Sequence, residues 1–447
     1  MGHAYAVSPT KAEVVEVAGQ QVRVTNPDKV LFPALGVSKL DVVSYFVEVG
    51  AAALVGCRDR PSILHRFPDG IEAEDFYQKR LPKGAPEWVQ SALITFPSGR
   101  TATMPVMADV AHLAWHATLG CVDINPWPVR GDDVDHPDEL RIDLDPIPGV
   151  PWDDVRRVAR VAREVLEDHG YRGFPKTSGK RGIHVNVRIE PRWTFPEVRR
   201  AGLALAREIE RRIPDKATSA WWKEERHGVF VDYNQNARDR TVASAYSIRP
   251  VPDARVSTPL EWDEVADVEP EAFTIATVPK RLREVGDPGA SIDEVTFGLE
   301  PLLELAYRDE GEGIGDAPWP PHFPKAEGEP PRVQPSKRRK EGPAPVDDAG
   351  PKPTGRRKST KPLVEIARAE TEDEAREGLE RWKVRHPDVL PHLEPHDVLV
   401  DSMRGRHRTW TRIRVNLQHV PKELRPEQEP LEVDYDPWAG MTWDEER

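Results

Sequence analysis

The chain has 447 residues, 38% of them hydrophobic and 31% charged, with a formal net charge of −13. This length suits two or three domains, and the acidic balance argues mildly against nucleic acid as a partner, although a whole-chain charge averages over separate faces. No stretch reaches the ~18 apolar residues of a membrane span, and the first residues lack the pattern of a secretory signal. Two cysteines, Cys57 and Cys121, are too few for a disulfide framework, so we expect a reduced, cytoplasmic compartment.

Composition divides the chain into an N-terminal tail, a large α/β domain, a linker and a small C-terminal α+β module, at residues 1–20, 21–310, 311–362 and 363–447. The linker is rich in proline, and its basic clusters KRRK (337–340) and GRRK (355–358) have almost no large apolar residue between them, which predicts disorder. These clusters either grip phosphates or form a solvated tether. In the last module, residues 363–386 have a helix-like pattern, and HDVLVDSM and HRTWTRIRVNLQHV alternate like strands.

The large domain alternates strand and helix patterns around its centre. LRIDLD (140–145) alternates strictly, so its apolar residues face one side of a strand while Asp143 and Asp145 face the other. The next elements predicted in chain order are a helix, a strand that carries His184, a second helix and a short strand that contains Asp232, at 151–170, 182–190, 195–214 and 228–236. Strands with one apolar face and one face of polar, potentially reactive residues, backed by helices, predict a two-layer α/β fold with a site on the open face of the sheet.

Three aspartates are the candidate catalytic and metal-binding residues. Asp143 and Asp145 stand at positions i and i+2 of one strand, ~6.8 Å apart at their Cα atoms, and such close carboxylates are tolerated mainly when a cation neutralises them. Oxygen ligands select Mg²⁺ or Mn²⁺, and Asp232 would complete a cage for two ions, as in phosphoryl transfer. For an isolated D-x-D pair, a solvated polar face is the more common explanation, but complementary residues on other strands favour the metal site.

A short polar turn in FPKTSGKRGIHV (174–185) has the features of a phosphate loop. Its glycines allow close backbone approach, its serine and backbone N–H groups can cradle phosphate oxygens, and its basic residues supply positive charge. Alone, such a turn is more often a hairpin, and a lone arginine in ASAYSIRP (243–250) would be a surface residue. Together, these segments give the candidate nucleotide-binding residues Ser178, Gly179, Arg181, His184 and Arg249.

The motifs D-L-D on a strand, S-G-x-[KR]-G-x-H opening the next and h-D-[YW]-x-Q-N after a helix resemble those of the archaeo-eukaryotic primase superfamily. The chain looks most like the polymerase domain of bacterial LigD-type end-joining enzymes and their stand-alone relatives, from VTNPDKVLFP (24–33) to GLEPLLEL (298–305). The resemblance implies an α/β (α+β) fold with a primase-like catalytic core and an RRM-like sheet, to which the small C-terminal module is added.

The resemblance also implies an activity, which is the templated addition of nucleotides to a primer 3′-hydroxyl on gapped or broken-end DNA. Ribonucleotides would serve as well as or in preference to deoxynucleotides, two Mg²⁺ or Mn²⁺ ions would be needed, and the setting would be end joining or gap-filling repair at the nucleoid. No K-x-D-G lysine motif is present, so sealing would need a separate ATP-dependent DNA ligase, with Ku as a further partner.

By position, the resemblance assigns further residues. The aspartates match the metal ligands, and Ser178, His184 and Arg249 match the incoming-nucleotide site. Lys29 and Lys39 correspond to lysines that read a downstream 5′-phosphate, while Phe76 and Tyr77 correspond to an aromatic pair over the template. Taken alone, the two lysines would be surface residues and the two aromatics core residues.

Three departures from the pattern affect the predicted site. Asn125 stands where the family often has histidine, Arg181 replaces the commoner lysine, and the loop 129–139 is acidic. Two other interpretations stay open. A two-metal nuclease would use the same carboxylates but would not need a triphosphate site, and a DNA-end bridging module would not need the carboxylates at all.

Overall fold

The computed structural model describes residues 11–320, 323, 362–404 and 409–435. By its internal contacts the chain divides into two compact units, one of residues 1–221 and 225–330 and the other of residues 222–224 and 331–447.

An antiparallel hairpin opens the described chain, formed by β1 (Ala12–Val17) and β2 (Gln20–Thr25). Val17 of β1 is buried in the same apolar cluster as Val22 and Val24 of β2. The predicted tail is therefore wrong for residues 12–20, because alternating valines there fold onto the core, and residues 1–10 lie outside the described part.

The rest of the first half surrounds a three-stranded antiparallel sheet of order β6-β5-β9. The elements in chain order are β3 (Val30–Phe32), β4 (Val37–Ser38), α1 (Lys39–Glu48), α2 (Gly50–Cys57), β5 (Ser62–Arg66), β6 (Phe76–Gln78), β7 (Ser91–Thr95), β8 (Thr101–Pro105), α3 (Val110–Thr118) and β9 (Cys121–Pro126). In the described ranges no single helix is long and apolar enough to cross a membrane, and α1 and α2, which pass that test only jointly, are bent by 79°.

The central sheet has the order β11-β12-β10-β14-β13. Its strands and the two long helices packed on it are β10 (Glu139–Pro146), α4 (Trp152–Asp168), β11 (Phe174–Thr177), β12 (Ile183–Arg188), α5 (Phe195–Arg212), β13 (Ala217–Thr218) and β14 (Val229–Val231). Leu140, Ile142 and Leu144 are buried with the apolar faces of both helices. The predicted two-layer arrangement is confirmed, although the last predicted strand ends at Val231 and a 3-10 turn, Tyr233–Asn236, replaces its second half.

Two further helices close this unit, α6 (Val278–Val285) and α7 (Glu300–Gly311). Beyond α7 the chain stays packed, since the fully buried Arg199 of α5 binds the Asp316 carboxylate at 3.0 Å and the Pro318 carbonyl at 2.9 Å. The linker prediction is therefore wrong for residues 311–320, which an arginine on α5 anchors. The basic clusters at 337–340 and 355–358 lie outside the described residues.

The second unit is an α+β module with a three-stranded antiparallel sheet of order β15-β17-β16. Its elements are β15 (Leu363–Ala369), α8 (Glu372–Arg385), β16 (Val398–Arg404) and β17 (Thr409–Asn416). The helix predicted over 363–386 is wrong for its first part. That part is β15, whose Val364 and Ile366 are buried in the core of the module. Thr371 then caps α8 by accepting a hydrogen bond from the Glu374 N–H.

Candidate active site

The three predicted carboxylates lie on neighbouring strands of the central sheet. Asp143 and Asp145 occupy the polar face of β10, and Asp143 is the cross-strand partner of His184 on β12. Asp232 directly follows β14, and its N–H donates to the Asp143 carbonyl at 2.8 Å. The fold therefore brings the third aspartate beside the first, 89 positions earlier in the chain.

The 3-10 turn after β14 fixes this arrangement. The side-chain amide nitrogen of Gln235 donates to Asp143 at 3.2 Å and to Asp232 at 3.0 Å, so one N–H donor group spans both carboxylates. Asn236 accepts from the Arg141 N–H and donates to the Arg141 carbonyl, both at 2.8 Å, which ties the turn to β10. Both residues belong to the x-Q-N motif, but the motif alone does not indicate these roles.

The electrostatics of the carboxylates favour a bound cation. Burial, opposed by Lys176, raises the pKa of Asp143 to about 6. Desolvation by the surrounding protein and then repulsion by Asp143 raise the pKa of Asp145 to about 6, although Asp145 itself reaches solvent. Burial and Asp143 also raise the pKa of Asp232. The Gln235 amide already donates to two of these carboxylates, and all three offer oxygen ligands that fit a divalent ion such as Mg²⁺ or Mn²⁺.

His184 faces this centre as a neutral hydrogen-bond donor. The buried Lys176 amine donates to His184 Nδ1 at 2.7 Å, which leaves the ring proton on Nε2, 3.4 Å from the Asp143 carboxylate. Burial and then Lys176 hold the pKa of His184 well below its usual range. The imidazole can therefore donate a hydrogen bond from Nε2 but carries no charge of its own. Lys176 carries no chemical signal in the sequence beyond being a lysine in a strand.

The predicted phosphate loop connects β11 to β12. Ser178 Oγ accepts from the Gly182 N–H at 2.9 Å and the Lys180 N–H at 3.2 Å, which closes the turn and leaves the hydroxyl hydrogen for another acceptor. Gly179 has a left-handed φ of 69°, and a Cβ there would lie 2.5 Å from Arg249 Cγ. A Cβ on Gly182 would likewise lie 2.4 Å from the Leu144 carbonyl oxygen, so neither glycine position has room for a side chain.

A cleft of about 360 Å³ opens between the polar faces of the two sheets. It brings together the predicted residues Asp143, His184 and Arg249 with Tyr77 and Lys180. Ser178 and Gly179 form the loop behind the cleft. Arg181 is exposed near Asp145, and its positive charge opposes the rise in the pKa of Asp145. The cleft is lined by His65, Tyr77, Asp123, Asn125, Asp143, Lys180, His184, Gln235, Asp239, Arg240, Thr241, Val242, Ala243, Arg249 and Pro250.

Arg249 is held in the cleft with hydrogen-bonding capacity to spare. A lone arginine would be expected at the surface, but the side chain of Arg249 is only 16% exposed. Its Nη1 lies 3.6 Å from the Asp123 carboxylate, and neither Nε nor Nη1 has a hydrogen-bond partner among the described residues. Asn125, on the same wall, also has a buried amide nitrogen without such a partner in those ranges. Both side chains can therefore donate to a ligand.

A histidine between two carboxylates supports the same wall, and sequence reasoning missed it. His65 Nδ1 lies 3.1 Å from Asp123, its Nε2 lies 2.7 Å from Asp75, and its ring stacks on Tyr77 with centroids 4.1 Å apart. Burial would lower the pKa of His65, but the bonds to both aspartates outweigh it and raise the pKa to about 9. No local pattern marks this group, because its members come from β5, β6, β9 and a loop.

Phe76 and Tyr77 are not core residues, being 43% and 63% exposed. They are neighbours on β6 and point to opposite faces of the strand. Tyr77 packs against His65 in the cleft. Phe76 packs against the Arg66 guanidinium, whose Cζ lies 5.3 Å from the centre of the Phe76 ring. The structure therefore does not bring the two rings together as one stacking surface.

Lys29 and Lys39 meet where β3 and β4 pair, since the Lys39 N–H donates to the Lys29 carbonyl at 2.8 Å. The Lys39 side chain is buried and donates to the Thr25 carbonyl at 2.9 Å, whereas Lys29 binds Asp69 at 2.5 Å. Burial, then Lys29 and then Arg66 lower the pKa of Lys39. Three cations thus lie close together, with the Asp69 carboxylate paired to one of them.

The comparisons with known proteins identify one family for the first, larger part of the chain. Residues 38–289 match the family described as LigD, primase-polymerase domain. The multifunctional non-homologous end joining protein LigD of Mycolicibacterium smegmatis is 33% identical over 277 residues, which cover 61% of this chain and 36% of that protein. The bifunctional non-homologous end joining protein LigD of Bacillus subtilis is 30% identical over 274 residues, which cover 60% of this chain and 43% of that protein. The chain thus spans less than half the length of these relatives.

A solved structure agrees with the sequence matches. The polymerase domain of Mycobacterium tuberculosis ligase D in complex with DNA is similar with a TM-score of 0.58 and 31% identity, covering 62% of this chain and 100% of that one. The predicted mixed α/β primase-polymerase fold is therefore confirmed.

Proposed function

Because the chain belongs to the LigD primase-polymerase domain family, we propose that it extends primer 3′ ends at gaps and broken ends of DNA during end joining or gap filling. It is a DNA nucleotidyltransferase of the repair polymerase class. The observation that carries the proposal is the Gln235 amide that joins Asp143 and Asp232 at one end of a cleft containing Arg249.

The proposed chemistry divides the work among the residues of the cleft. Asp143, Asp145 and Asp232 would hold one or two divalent ions. Bound there, Mg²⁺ or Mn²⁺ would supply the positive charge that stabilises the attacking and leaving oxygens around phosphorus. The remaining residues of the cleft would bind the triphosphate.

Charged and neutral donors share the proposed triphosphate site. Arg249 offers the N–H groups that lack partners among the described residues, and Lys180 adds charge from the same cleft. His184 donates from Nε2 and Ser178 from its hydroxyl, while Arg181 flanks Asp145. Donors fixed before the substrate arrives stabilise charge that develops on the leaving pyrophosphate.

Primer extension on gapped DNA tests this function and separates it from the two alternatives. Wild-type protein should lengthen a labelled primer with Mg²⁺ or Mn²⁺, with ribonucleotides as well as or better than with deoxynucleotides, and Asp232→Asn should leave no product. The matched control is Asp168→Asn, on the exposed side of α4, which should extend normally. Shortening of the primer would indicate a nuclease, and bridging of DNA ends without extension a non-catalytic module; either result contradicts the proposal.

We further propose that Lys29 and Lys39 bind a downstream 5′-phosphate, and that DNA, Ku and a separate ATP-dependent DNA ligase are partners at the nucleoid in the cytoplasm. Lys29→Gln should abolish the preference for gaps with a 5′-phosphate and lower the salt dependence of binding by about one phosphate contact. Lys280→Gln, on the exposed face of α6, is the control. An unchanged preference in the Lys29 variant would contradict this assignment but not the polymerase activity.

We propose a catalytic domain that runs from the first hairpin to about residue 320 and a separate C-terminal module that begins at about residue 362. The domain contains the whole matched range and every residue of the cleft, whereas the family match ends well before the module.

A further inference from the structure

Two histidines and a glutamate meet in the C-terminal module, which lies outside the range that matches the polymerase family. Glu394 and His396 belong to the segment before β16, and His419 follows β17. One possible ligand atom from each residue lies within 4.8 Å of the other two. The imidazole rings stand nearly perpendicular, with centroids 5.6 Å apart and 88° between their planes.

The protonation of His419 is fixed by its neighbours in a way that suits a metal ligand. Nδ1 lies 2.9 Å from the carboxylate of Asp397, so this nitrogen carries the proton. On the other side of the ring, the Gln418 amide nitrogen lies 3.3 Å from Nε2, where a donor faces a lone pair. A metal-binding histidine commonly has a carboxylate on one nitrogen and the ion on the other. In His419 the second nitrogen faces the Gln418 amide, which an ion would displace.

Asp397 supports His419 from the interior of the module and is not a chance surface neighbour. Its side chain is completely buried, and the oxygen that accepts from His419 also accepts from the Glu394 N–H at 3.0 Å. One carboxylate therefore orients both segments that contribute to the cluster. Glu394 faces the second ring, with its carboxylate 3.3 Å from His396 Nδ1.

We propose that Glu394, His396 and His419 bind a zinc-class divalent transition-metal ion, with the fourth position open to water. Two imidazole nitrogens and one carboxylate oxygen match the ligands of Zn²⁺ and are poorly suited to Mg²⁺. Tetrahedral ligands at ~2.0–2.2 Å from the ion lie about 3.3–3.5 Å apart, and the exposed Glu394 and partly exposed histidines can close to that distance.

Such an ion would clip together two segments that border the same sheet. Glu394 and His396 lead into β16, and His419 follows its hydrogen-bonded neighbour β17. The link joins residues 23 positions apart, so it would restrict the unfolded chain and stabilise the module. This site is chemically distinct from the all-oxygen aspartate centre of the polymerase domain, and its presence does not depend on the proposed polymerase activity.

The test is metal binding by the full chain after chelator treatment, in an Asp143→Asn/Asp145→Asn background that disables the aspartate centre. We expect one Co²⁺ or Zn²⁺ per chain by calorimetry, with Co²⁺ giving the visible absorption of a four-coordinate nitrogen and oxygen site. His396→Ala and His419→Ala should each lower the affinity at least 100-fold, and Asp397→Asn about 10- to 100-fold. His392→Ala, in the preceding turn of the same module, should bind as the parent does.

Two outcomes with the parent and the histidine variants would overturn the site. One is the absence of tight Co²⁺ or Zn²⁺ binding by the parent, and the other is unchanged binding after loss of either histidine. Because a histidine variant could also unfold the module, far-ultraviolet circular dichroism accompanies each titration, and the exposed Glu394→Gln provides a milder variant. A folded Glu394→Gln protein with unaltered affinity would remove the glutamate from the ligand set and contradict the proposal.

Discussion

The three candidate active-site carboxylates destabilise the metal-free fold, because each has a pKa above its ordinary value. For Asp143, with a pKa of about 6, the cost is fully present above pH 6 and fades as the pH falls from there towards the ordinary value near 4. We therefore expect Asp143→Asn to lose extension completely while gaining about 1–3 kcal/mol of stability at pH 7 without metal.

Urea unfolding of chelator-treated protein checks this prediction. The midpoint of the Asp143→Asn variant should exceed that of wild type at pH 7, and the gap should shrink at pH 5. Asp168→Asn should show no such gap. Equal midpoints at pH 7 would mean that Asp143 is not electrostatically strained in the absence of a cation.

His65 has the opposite linkage. Its folded pKa of about 9 lies above the ordinary value near 6.5, so its stabilisation is fully present below pH 6.5 and disappears as the pH rises through 9. His65→Gln leaves Asp123 and Asp75 without their shared cation, and we expect it to cost about 1–3 kcal/mol at pH 6.5 and little at pH 10. Urea midpoints at both pH values measure this, with His169→Gln as control; a cost that is equal at both pH values would show that His65 acts only by packing.

At the scale of elements, β6 presents one aromatic ring to each of two sites. Tyr77 lines the cleft, whereas Phe76 lies with Arg66 on the side of the lysine pair, because adjacent strand residues face opposite ways. Base stacking is worth ~1–3 kcal/mol, so Tyr77→Ala should raise the KM for the incoming nucleotide about 5- to 150-fold.

Phe76→Ala should instead weaken binding of gapped DNA and leave the nucleotide KM within about threefold of wild type. Steady-state extension and filter-binding titrations of the two variants separate the effects. If both variants changed the same parameter equally, β6 would act as one stacking surface, as the sequence analysis expected.

Periodicity predicted the elements whose two faces differ chemically. β10 and β12 alternate over six or more residues, and α4 and α5 have long apolar faces, so all four were predicted within two residues at each end. The pattern misled where an element is short or its apolar positions fit two periods. In LVEIARA (363–369), valine, isoleucine and alanine suit a helix as well as a strand, and only pairing with β17 decides between them.

At the scale of the whole molecule, the candidate site also contains residues that local motifs predict and residues that only the fold brings together. Asp143, Asp145 and the serine–glycine loop stand in local motifs with a chemical meaning, so the sequence alone pointed to them. His65 meets Asp123 through the pairing of β5 with β9, and Lys176 is buried against His184, the Ala243 carbonyl and the Ser257 hydroxyl. Residues whose role depends on such long-range packing carry no local signal, which is why one sequence did not predict them.

The extent of the catalytic domain is testable by truncation, because its final segment packs on α5 through Arg199. A chain ending at residue 320 keeps the contacts of Arg199 with Asp316 and Pro318 and should extend primers at the wild-type rate. A chain ending at residue 310 leaves that buried guanidinium without these partners, and breaking a buried pair costs about 3–5 kcal/mol, so its unfolding midpoint should fall sharply. Arg199→Met in the longer chain should recover part of that loss, since it removes the buried charge. If both truncations were equally stable, the segment 311–320 would be a passive tether and the domain would end at α7.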